Sequence, residues 1–299
     1  MTTDNPARIT GIGSALVDIL INESDQFLSG LGKEKGGMTF ATDQEIREIL
    51  SGTPEKAVTV PGGAACNTIL GVGRLGGSAR FIGKRGDDAY GKLFEEQVID
   101  CNVEPELSIG ESATGHVLSV VTPDAQRSMF TFLGASTELA PDSVSPDLFT
   151  DTAIAMIEGY LLFNPDLMTA SVRAAKTAGA KIALDLASFE VVNASKDILE
   201  TIVKNDVDIL IANEDEALAY TGLKDELKAV EKLAEHVDYG VLKVGKRGSY
   251  ISCEGKVTRI EAVKGNPPVD TTGAGDLWAA GFLFGLASGF SIGKSGQIA

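Results

Sequence analysis

The chain has 299 residues, of which 43% are hydrophobic, so it can bury one large core or two small ones. Its 42 acidic and 26 basic residues give a net charge of −16, which disfavours binding to nucleic acids and to anionic membrane surfaces. There is no bilayer-length apolar stretch or signal-peptide pattern, and the three cysteines lie far apart, so we expect a reduced cytoplasmic protein.

Short apolar strands alternate with helical patterns along most of the chain. The strands predicted in chain order are residues 7–13, 56–60, 79–83, 153–159, 181–187, 207–213 and 240–245. The predicted helices are residues 43–50, 67–75, 90–101, 165–178, 197–203 and 214–220. This alternation, with near-continuous apolar strands, is typical of a parallel sheet covered on both faces.

Two stretches, about 15–40 and 103–134, show strand-like alternation without helices between the strands. We expect antiparallel hairpins here, extending from the α/β core as a small β-sheet lid over an active site. The pattern of residues 248–262 predicts a further hairpin.

Three glycine motifs resemble nucleotide-binding loops. Residues 71–76 match G-x-G-x-x-G, but the preceding pattern predicts a helix interior, with the glycines allowing close helix–sheet packing. The alternative is an NAD-binding oxidoreductase. Residues 11–18 follow a strand but lack the third glycine, so we interpret them as a strand end that turns Asp18 toward a cleft. Residues 289–295 are one residue too short for a Walker A loop and follow a helix.

The stretch DTTGAGD, residues 270–276, can bind a phosphoryl group without a lysine. The hydroxyls of Thr271 and Thr272 can turn the chain, and Gly273 and Gly275 allow successive N–H groups to point into one concavity. The positive end of the following helix dipole is directed at the same point. Asp276 is then either a general base for an attacking hydroxyl or a helix-capping carboxylate, and the local sequence leaves both open.

Four motifs in this order resemble the PfkB (ribokinase-like) family of carbohydrate and nucleoside kinases. They are PGGAACNTILGVGRLGG (61–77), NEDEA (213–217), VGKRGS (244–249) and DTTGAGD followed by a small-residue helix. The resemblance implies a single α/β domain over 1–299: a three-layer α/β/α sandwich with a mostly parallel central sheet and a small β-sheet lid.

The resemblance also implies site residues. Asp276 would be the catalytic base, and the backbone of Gly273, Ala274 and Gly275 would form the anion hole. The residues implied for acceptor binding are Asp18, Gly62, Gly63 and Asn67, with Arg127 as a lid arginine that could swing toward the phosphates.

ATP and Mg²⁺ are the implied cosubstrate and metal. The implied nucleotide-binding residues are Asn213, Lys243, Gly245, Lys246, Gly248 and Thr272, although a Lys-rich turn between strands is often only solvated surface. Asn213 and Glu216 would organise Mg²⁺ and its waters. Asp270 and Thr272 would contribute to a monovalent-cation site, which takes K⁺ in this interpretation. We expect the C-terminal helix region, with part of the adenine pocket, to lie beyond Ala299.

The C-terminal sequence, residues 265–286, resembles the adenosine-kinase-like branch of the family. The stretch GGAACN (62–67) lacks the lysine that ribokinases tend to carry after the two glycines. The leading hypothesis is an ATP-dependent phosphotransferase acting on a primary hydroxyl of an adenosine-like nucleoside or a furanose sugar. The alternatives are a ribokinase, fructokinase or 2-keto-3-deoxygluconate-type sugar kinase, or a sugar- or nucleoside-binding homologue that has lost catalysis. A homodimer through the lid strands is also implied.

Overall fold

The structure is a computed structural model that describes residues 7–32, 35–124, 126–263, 265, 271 and 273–299. In chain order its strands are β1 Arg8–Ile12, β2 Leu16–Asn22, β3 Gly37–Phe40, β4 Val58–Gly62, β5 Ala79–Arg85, β6 Val103–Ile109, β7 Gly115–Val121, β8 Arg127–Phe132, β9 Thr152–Glu158, β10 Lys181–Asp185, β11 Ile209–Asn213, β12 Tyr239–Lys243, β13 Ser249–Cys253 and β14 Lys256–Ile260.

The α-helices of the same residues are α1 Asp25–Gly30, α2 Asp43–Ser51, α3 Ala64–Arg74, α4 Ala89–Asp100, α5 Pro165–Thr177, α6 Phe189–Ala194, α7 Lys196–Asn205, α8 Glu214–Thr221, α9 Glu226–Leu233, α10 Ala274–Ala287 and α11 Ile292–Ile298. Short 3₁₀ turns lie at Gly134–Glu138, Pro141–Ser143, Pro146–Phe149, Gly159–Phe163 and Gly245–Arg247. In the described part of the chain, no helix combines the length and apolar character needed to cross a membrane.

The large sheet has the strand order β14-β13-β12-β11-β10-β9-β1-β5-β6. Its strands from β12 to β6 are parallel, whereas β13 is antiparallel to both of its neighbours. Consecutive residues of β9 point to opposite faces, so Met156 packs in one core and Ile157 in the other. Helices α3, α4 and α10 cover the first core, and α5, α7 and α9 cover the second. The predicted three-layer sandwich with a mostly parallel sheet is confirmed.

The second sheet has the order β3-β8-β7-β2-β4 and corresponds to the predicted small sheet. The strands that form this sheet differ from those predicted. Strand β6, expected in the small sheet, pairs with β5 in the large one, whereas β4, expected in the large sheet, belongs to the small one. Both are edge strands with one neighbour and partly exposed residues, so their alternation does not distinguish one sheet from the other.

The predicted absence of helices from 15–40 is also wrong, since α1 lies there, with Ser24 accepting a hydrogen bond from the Phe27 N–H. The β2–β7 and β3–β8 pairs are parallel, so the small sheet is not built from antiparallel hairpins alone.

The G-x-G-x-x-G stretch begins inside α3 as predicted and ends two residues beyond it, which removes the strand–loop–helix context that NAD binding requires. The predicted helix–sheet packing is found at one of the two helical glycines. A Cβ at Gly71 would lie 2.6 Å from the Cβ of Ala280 in α10, so its small size permits close approach of that helix. A Cβ at Gly73 would clash with the carbonyl of Cys101 and lie 2.8 Å from Cγ2 of Val103, so glycine there permits close approach of the end of α4 and of β6 in the large sheet.

Candidate active site

Four parallel strands end in polar residues at one edge of the large sheet. Glu158, Asp185, Asn213 and Lys243 are the last residues of β9, β10, β11 and β12. Asp185 is in register with Glu158, and Asn213 with Lys243. The carboxyl edge of an open parallel sheet is where such folds bind ligands, so this row marks the functional face of the molecule.

The N-terminus of α10 lies at the same edge. Gly273 precedes the helix with φ +68°, a left-handed conformation that glycine adopts without steric strain. A Cβ on Gly275 would lie 3.2 Å from Nζ of Lys243, which brings the lysine of β12 against the first helical turn. The N–H groups of a first turn have no partner four residues earlier in the helix, so this end favours a bound anion.

Asp276, in the first turn of α10, is half-buried and held by α3. Asn67 Nδ2 donates to Asp276 Oδ2 over 2.9 Å, and Thr68 Oγ1 donates to the Asp276 carbonyl over 3.2 Å. Burial raises the pKa of Asp276 to about 6, with repulsion from Asp185 adding to it and the Asn67 hydrogen bond opposing it. A carboxylate with such a pKa is ionised at neutral pH but basic enough to accept a proton.

Asp18, in β2, faces Asn67 and Gly273 across a cleft of about 480 Å³. A Cβ on Gly62 would lie 2.5 Å from Cγ of Asp18, so only glycine leaves room for this carboxylate. Gly63 has φ +99°, and a Cβ there would clash with the Ser14 carbonyl. Gly62 and Gly63 thus admit Asp18 and Ser14 beside the start of α3.

Lys243 forms a buried ion pair with Asp185, with Nζ 2.7 Å from Oδ2. Burial lowers the pKa of Lys243, but the carboxylates of Asp185 and Glu216 outweigh this effect, so its pKa is raised and it stays cationic. Burial also raises the pKa of Glu216 to about 7, with repulsion from Asp185 acting in the same direction. This side of the site is therefore a cluster of charges that partly neutralise one another.

Asn213 and Glu216 cap α8 reciprocally. The Asn213 backbone N–H and Nδ2 donate to the two Glu216 carboxylate oxygens, and the Glu216 N–H donates to Asn213 Oδ1. Among the described residues, no three acidic, histidine or cysteine side chains are grouped closely enough to ligate a metal directly. A carboxylate and an amide side by side fit a hydrated Mg²⁺ held through its waters, rather than an ion in an all-protein cage.

The comparison with protein families agrees with this geometry. Residues 38–299 match the model of the pfkB family carbohydrate kinases. The chain belongs to this family.

Proteins similar to this chain include a ribokinase, an adenosine kinase and a probable sugar kinase. A ribokinase from Arabidopsis thaliana is 30% identical over 248 residues, which are 78% of this chain and 63% of that protein, so the match spans less than two thirds of the relative. An adenosine kinase structure from Sinorhizobium meliloti is 33% identical with a TM-score of 0.87, over 98% of this chain and 91% of that one. A probable sugar kinase structure from Rhizobium etli CFN 42 is 29% identical with a TM-score of 0.88, over the same shares. These relatives are phosphotransferases with alcohol acceptors, the class predicted for this chain, and a kinase family implies ATP, typically with Mg²⁺.

The structure brings together most of the residues predicted from the pfkB motifs. The acceptor-side group Asp18, Gly62, Gly63 and Asn67 adjoins Gly273 and Asp276, and Lys243 reaches Gly275. Arg127 is in register with Val121, whereas Asp18 is in register with Val117, four residues or about 13 Å away along β7. Its predicted contact with phosphates stays a prediction.

Three predicted nucleotide-side residues lie in or beside the turn after β12. Gly245 and Lys246 are exposed, and a Cβ on Gly248, which has φ +91°, would clash with the Ile260 carbonyl. Gly248 thus has a structural reason to be glycine, and the nucleotide contacts of all three stay predictions. Asp270 and Thr272, on which the cation site depends, lie outside the described residues.

The prediction missed two carboxylates, Glu158 and Asp185. Glu158 is fully buried and accepts hydrogen bonds from Ser14 N (2.8 Å), Ser14 Oγ (2.9 Å) and Ala65 N (3.1 Å). Burial raises its pKa. A sequence signal existed for both, since each acidic residue ends an otherwise apolar run, AIAMIE or IALD.

Proposed function

We propose that this chain is an ATP-dependent kinase that transfers the γ-phosphoryl group of ATP to a primary hydroxyl of a nucleoside or furanose sugar. The observation that carries the proposal is the position of Asp276 in the first turn of α10, hydrogen-bonded to Asn67 beside the cleft. A base and an anion-binding helix end then meet at one point. This is what in-line transfer to a hydroxyl requires.

In the proposed reaction Asp18 and Asn67 orient the acceptor, and an Asp276 carboxylate oxygen takes the proton of its hydroxyl. The Ala274 N–H already donates to the Thr271 carbonyl over 3.1 Å, so the Gly275 N–H is the group that would receive the negative charge of the transferred group, with the Lys243 cation beside it. Mg²⁺, when bound, would neutralise phosphate charge, with Asn213 and Glu216 holding its waters.

A nucleoside is the acceptor we favour. The cleft continues past Asp18 between aliphatic side chains, which would shield a nucleobase but contribute little to binding a free sugar. The similarity to an adenosine kinase of Sinorhizobium meliloti supports the same choice. A sugar kinase is the second candidate, favoured by the 30% identity to a ribokinase of Arabidopsis thaliana.

The test is ATP consumption with Mg²⁺ and a panel of nucleosides and sugars, for the wild type and for Asp276→Asn. We expect one acceptor class to be phosphorylated and Asp276→Asn to lower turnover by about 10²–10⁴-fold while acceptor-induced melting shifts persist. Asp142→Asn, an exposed site in a 3₁₀ turn, is the matched control. Near-normal turnover of Asp276→Asn would contradict the mechanism, and acceptor binding without turnover in the wild type would favour a binding homologue.

We further propose that the chain dimerises through the small sheet. Phe40 and Val60 are 65% and 39% exposed. Both lie at the ends of the cross-strand row that contains Asp18, Val117 and Thr131, so these two exposed apolar side chains flank the acceptor site. Light scattering should give a dimer mass that Phe40→Lys reduces to a monomer mass. A monomeric wild type would refute the proposal.

A further inference from the structure

The cleft is longer than one sugar ring. Asn67, Leu70 and Arg74 line it from α3, and their spacing of three and four residues places them on one face of the helix. Seven residues of helix rise by about 10 Å, or two turns. Asn67 contacts Asp276 at the catalytic end, so the cleft extends about two helical turns away from the reacting hydroxyl.

Two aliphatic walls border the cleft. Leu20 and Val60 contribute from strands β2 and β4 of the small sheet, and Leu70 and Leu277 from helices α3 and α10. Apolar walls on two sides suit the faces of a flat heteroaromatic ring, whose edges then require polar partners.

Gln97, in α4, lines this cleft and is half-buried. It lies one helical turn before Cys101, whose carbonyl packs against Gly73, next to Arg74. Within the described part of the chain, its side-chain amide makes no hydrogen bond. An amide presents a donor and an acceptor side by side, and this pattern is complementary to the N6 amine and the adjacent ring nitrogen of adenine. Arg74 and Asp100 add one charge of each sign at the same end, which does not favour a phosphate there.

We propose that Gln97 hydrogen-bonds to the base of an adenine nucleoside in this cleft and thereby selects adenosine over free sugars. The inference rests on the proposed kinase function and adds a specificity-determining residue to it. Gln97 lines the cleft from α4 and, among the residues that the structure describes, has no hydrogen bond to Asp276 or Asn67, so it acts on acceptor binding and not on the transfer step.

The experiment compares the wild type with Gln97→Leu on adenosine, on purine riboside, which lacks the N6 amine, and on ribose. We expect Gln97→Leu to lower kcat/KM for adenosine about tenfold, mainly through KM, and to leave ribose unchanged. The preference for adenosine over purine riboside should also disappear in the variant. Gln44→Leu, in the exposed part of α2, is the matched control, because it removes an amide that bonds only to Glu48.

A second readout keeps the inference separate from catalysis. Adenosine should raise the Tm of the wild type more than that of Gln97→Leu, whether or not phosphate is transferred. An equal kcat/KM or Tm response to adenosine in the two proteins would overturn the role of Gln97. If the wild type phosphorylates sugars and neither binds nor phosphorylates adenosine, the inference fails while the kinase proposal stands. If adenosine raises the Tm through Gln97 but no acceptor is phosphorylated, the kinase proposal fails instead.

Discussion

The two halves of the functional edge stabilise their buried carboxylates differently. On the proposed acceptor side Glu158 is satisfied by neutral donors, the backbone N–H groups of Ser14 and Ala65 and the Ser14 hydroxyl. On the proposed nucleotide side Asp185 is satisfied by the cation of Lys243, with Glu216 close enough to repel it. One half is a hydrogen-bonded scaffold, and the other is a cluster of charges.

This difference suits the ligands expected at each half. A neutral sugar hydroxyl needs fixed geometry, which Glu158 supplies by joining the β1–β2 turn to the start of α3. A polyphosphate with its metal carries several charges, and the Lys243 amine, if shared between Asp185 and a phosphate as proposed, would balance part of them. The comparison predicts that charge removal harms the nucleotide side most.

Breaking the ion pair should have the largest effect on stability. Lys243→Met leaves the Asp185 carboxylate buried without its cation, and we expect the free energy of unfolding to fall by about 3–5 kcal/mol in urea titrations. The matched control is Lys181→Met, since Lys181 pairs with Asp238 at the same 2.7 Å but both side chains are 53% exposed. That loss should be about 0–1 kcal/mol. Adding Asp185→Asn to Lys243→Met should recover stability, and equal losses for the two lysine variants would refute the contrast.

Glu158→Gln tests the hydrogen-bonded half and should have a smaller effect. The glutamine keeps one acceptor oxygen, but its NH₂ group meets an N–H or O–H donor, so at least one hydrogen bond is lost, at a cost of about 1–3 kcal/mol. The acceptor KM should also rise, because α3 carries Asn67. Glu138, whose carboxylate accepts solvent-exposed hydrogen bonds from the N–H groups of Glu111 and Ser112, gives the control Glu138→Gln. Unchanged unfolding and KM in Glu158→Gln would mean that Glu158 does not organise this half.

Local signals explain what the sequence predicted well. The helix predicted at 165–178 is found at Pro165–Thr177, where Asn164 caps the N-terminus and proline occupies the first helical position. The glycines and the aspartate of 270–276 likewise form one contiguous motif, so the candidate base could be identified from it.

Long-range pairing explains what the sequence did not predict. Asp185 and Lys243 are 58 residues apart, and only the strand order brings them together. The exchange of β4 and β6 between sheets has the same origin, because edge strands of both sheets share one pattern. Gln97 lies on an amphipathic helix, where an amide resembles any surface residue until the cleft is seen.

The raised pKa of Asp276 predicts how both catalysis and stability depend on pH. Asp276 has a pKa of about 6, so kcat/KM should fall about tenfold per pH unit below 6 and level off above it. The folded protein holds this proton up to about pH 6, whereas the unfolded chain releases it near 3.8. Its contribution to stability is therefore present below 3.8 and lost as the pH rises through 6. Between pH 4 and 7 the Tm of the wild type should decline relative to that of Asp276→Asn, and parallel Tm curves or an acid limb near pH 4 would contradict the assignment.

The smallest expected effect comes from Gly275→Ala, which perturbs the contact between the charge cluster and α10. The new Cβ would lie 3.2 Å from Nζ of Lys243, so the amine must shift by a few tenths of an ångström. Alanine favours the helix by up to about 1 kcal/mol, and this gain should offset the crowding, leaving the Tm nearly unchanged. Turnover should fall severalfold, because the displaced lysine lies beside the proposed anion hole. Gly293→Ala in α11 gains the same helix propensity where a Cβ meets nothing within 4 Å, so its kcat should stay normal. Equal turnover in the two variants would mean that the Lys243 amine does not act on the transferred phosphoryl group.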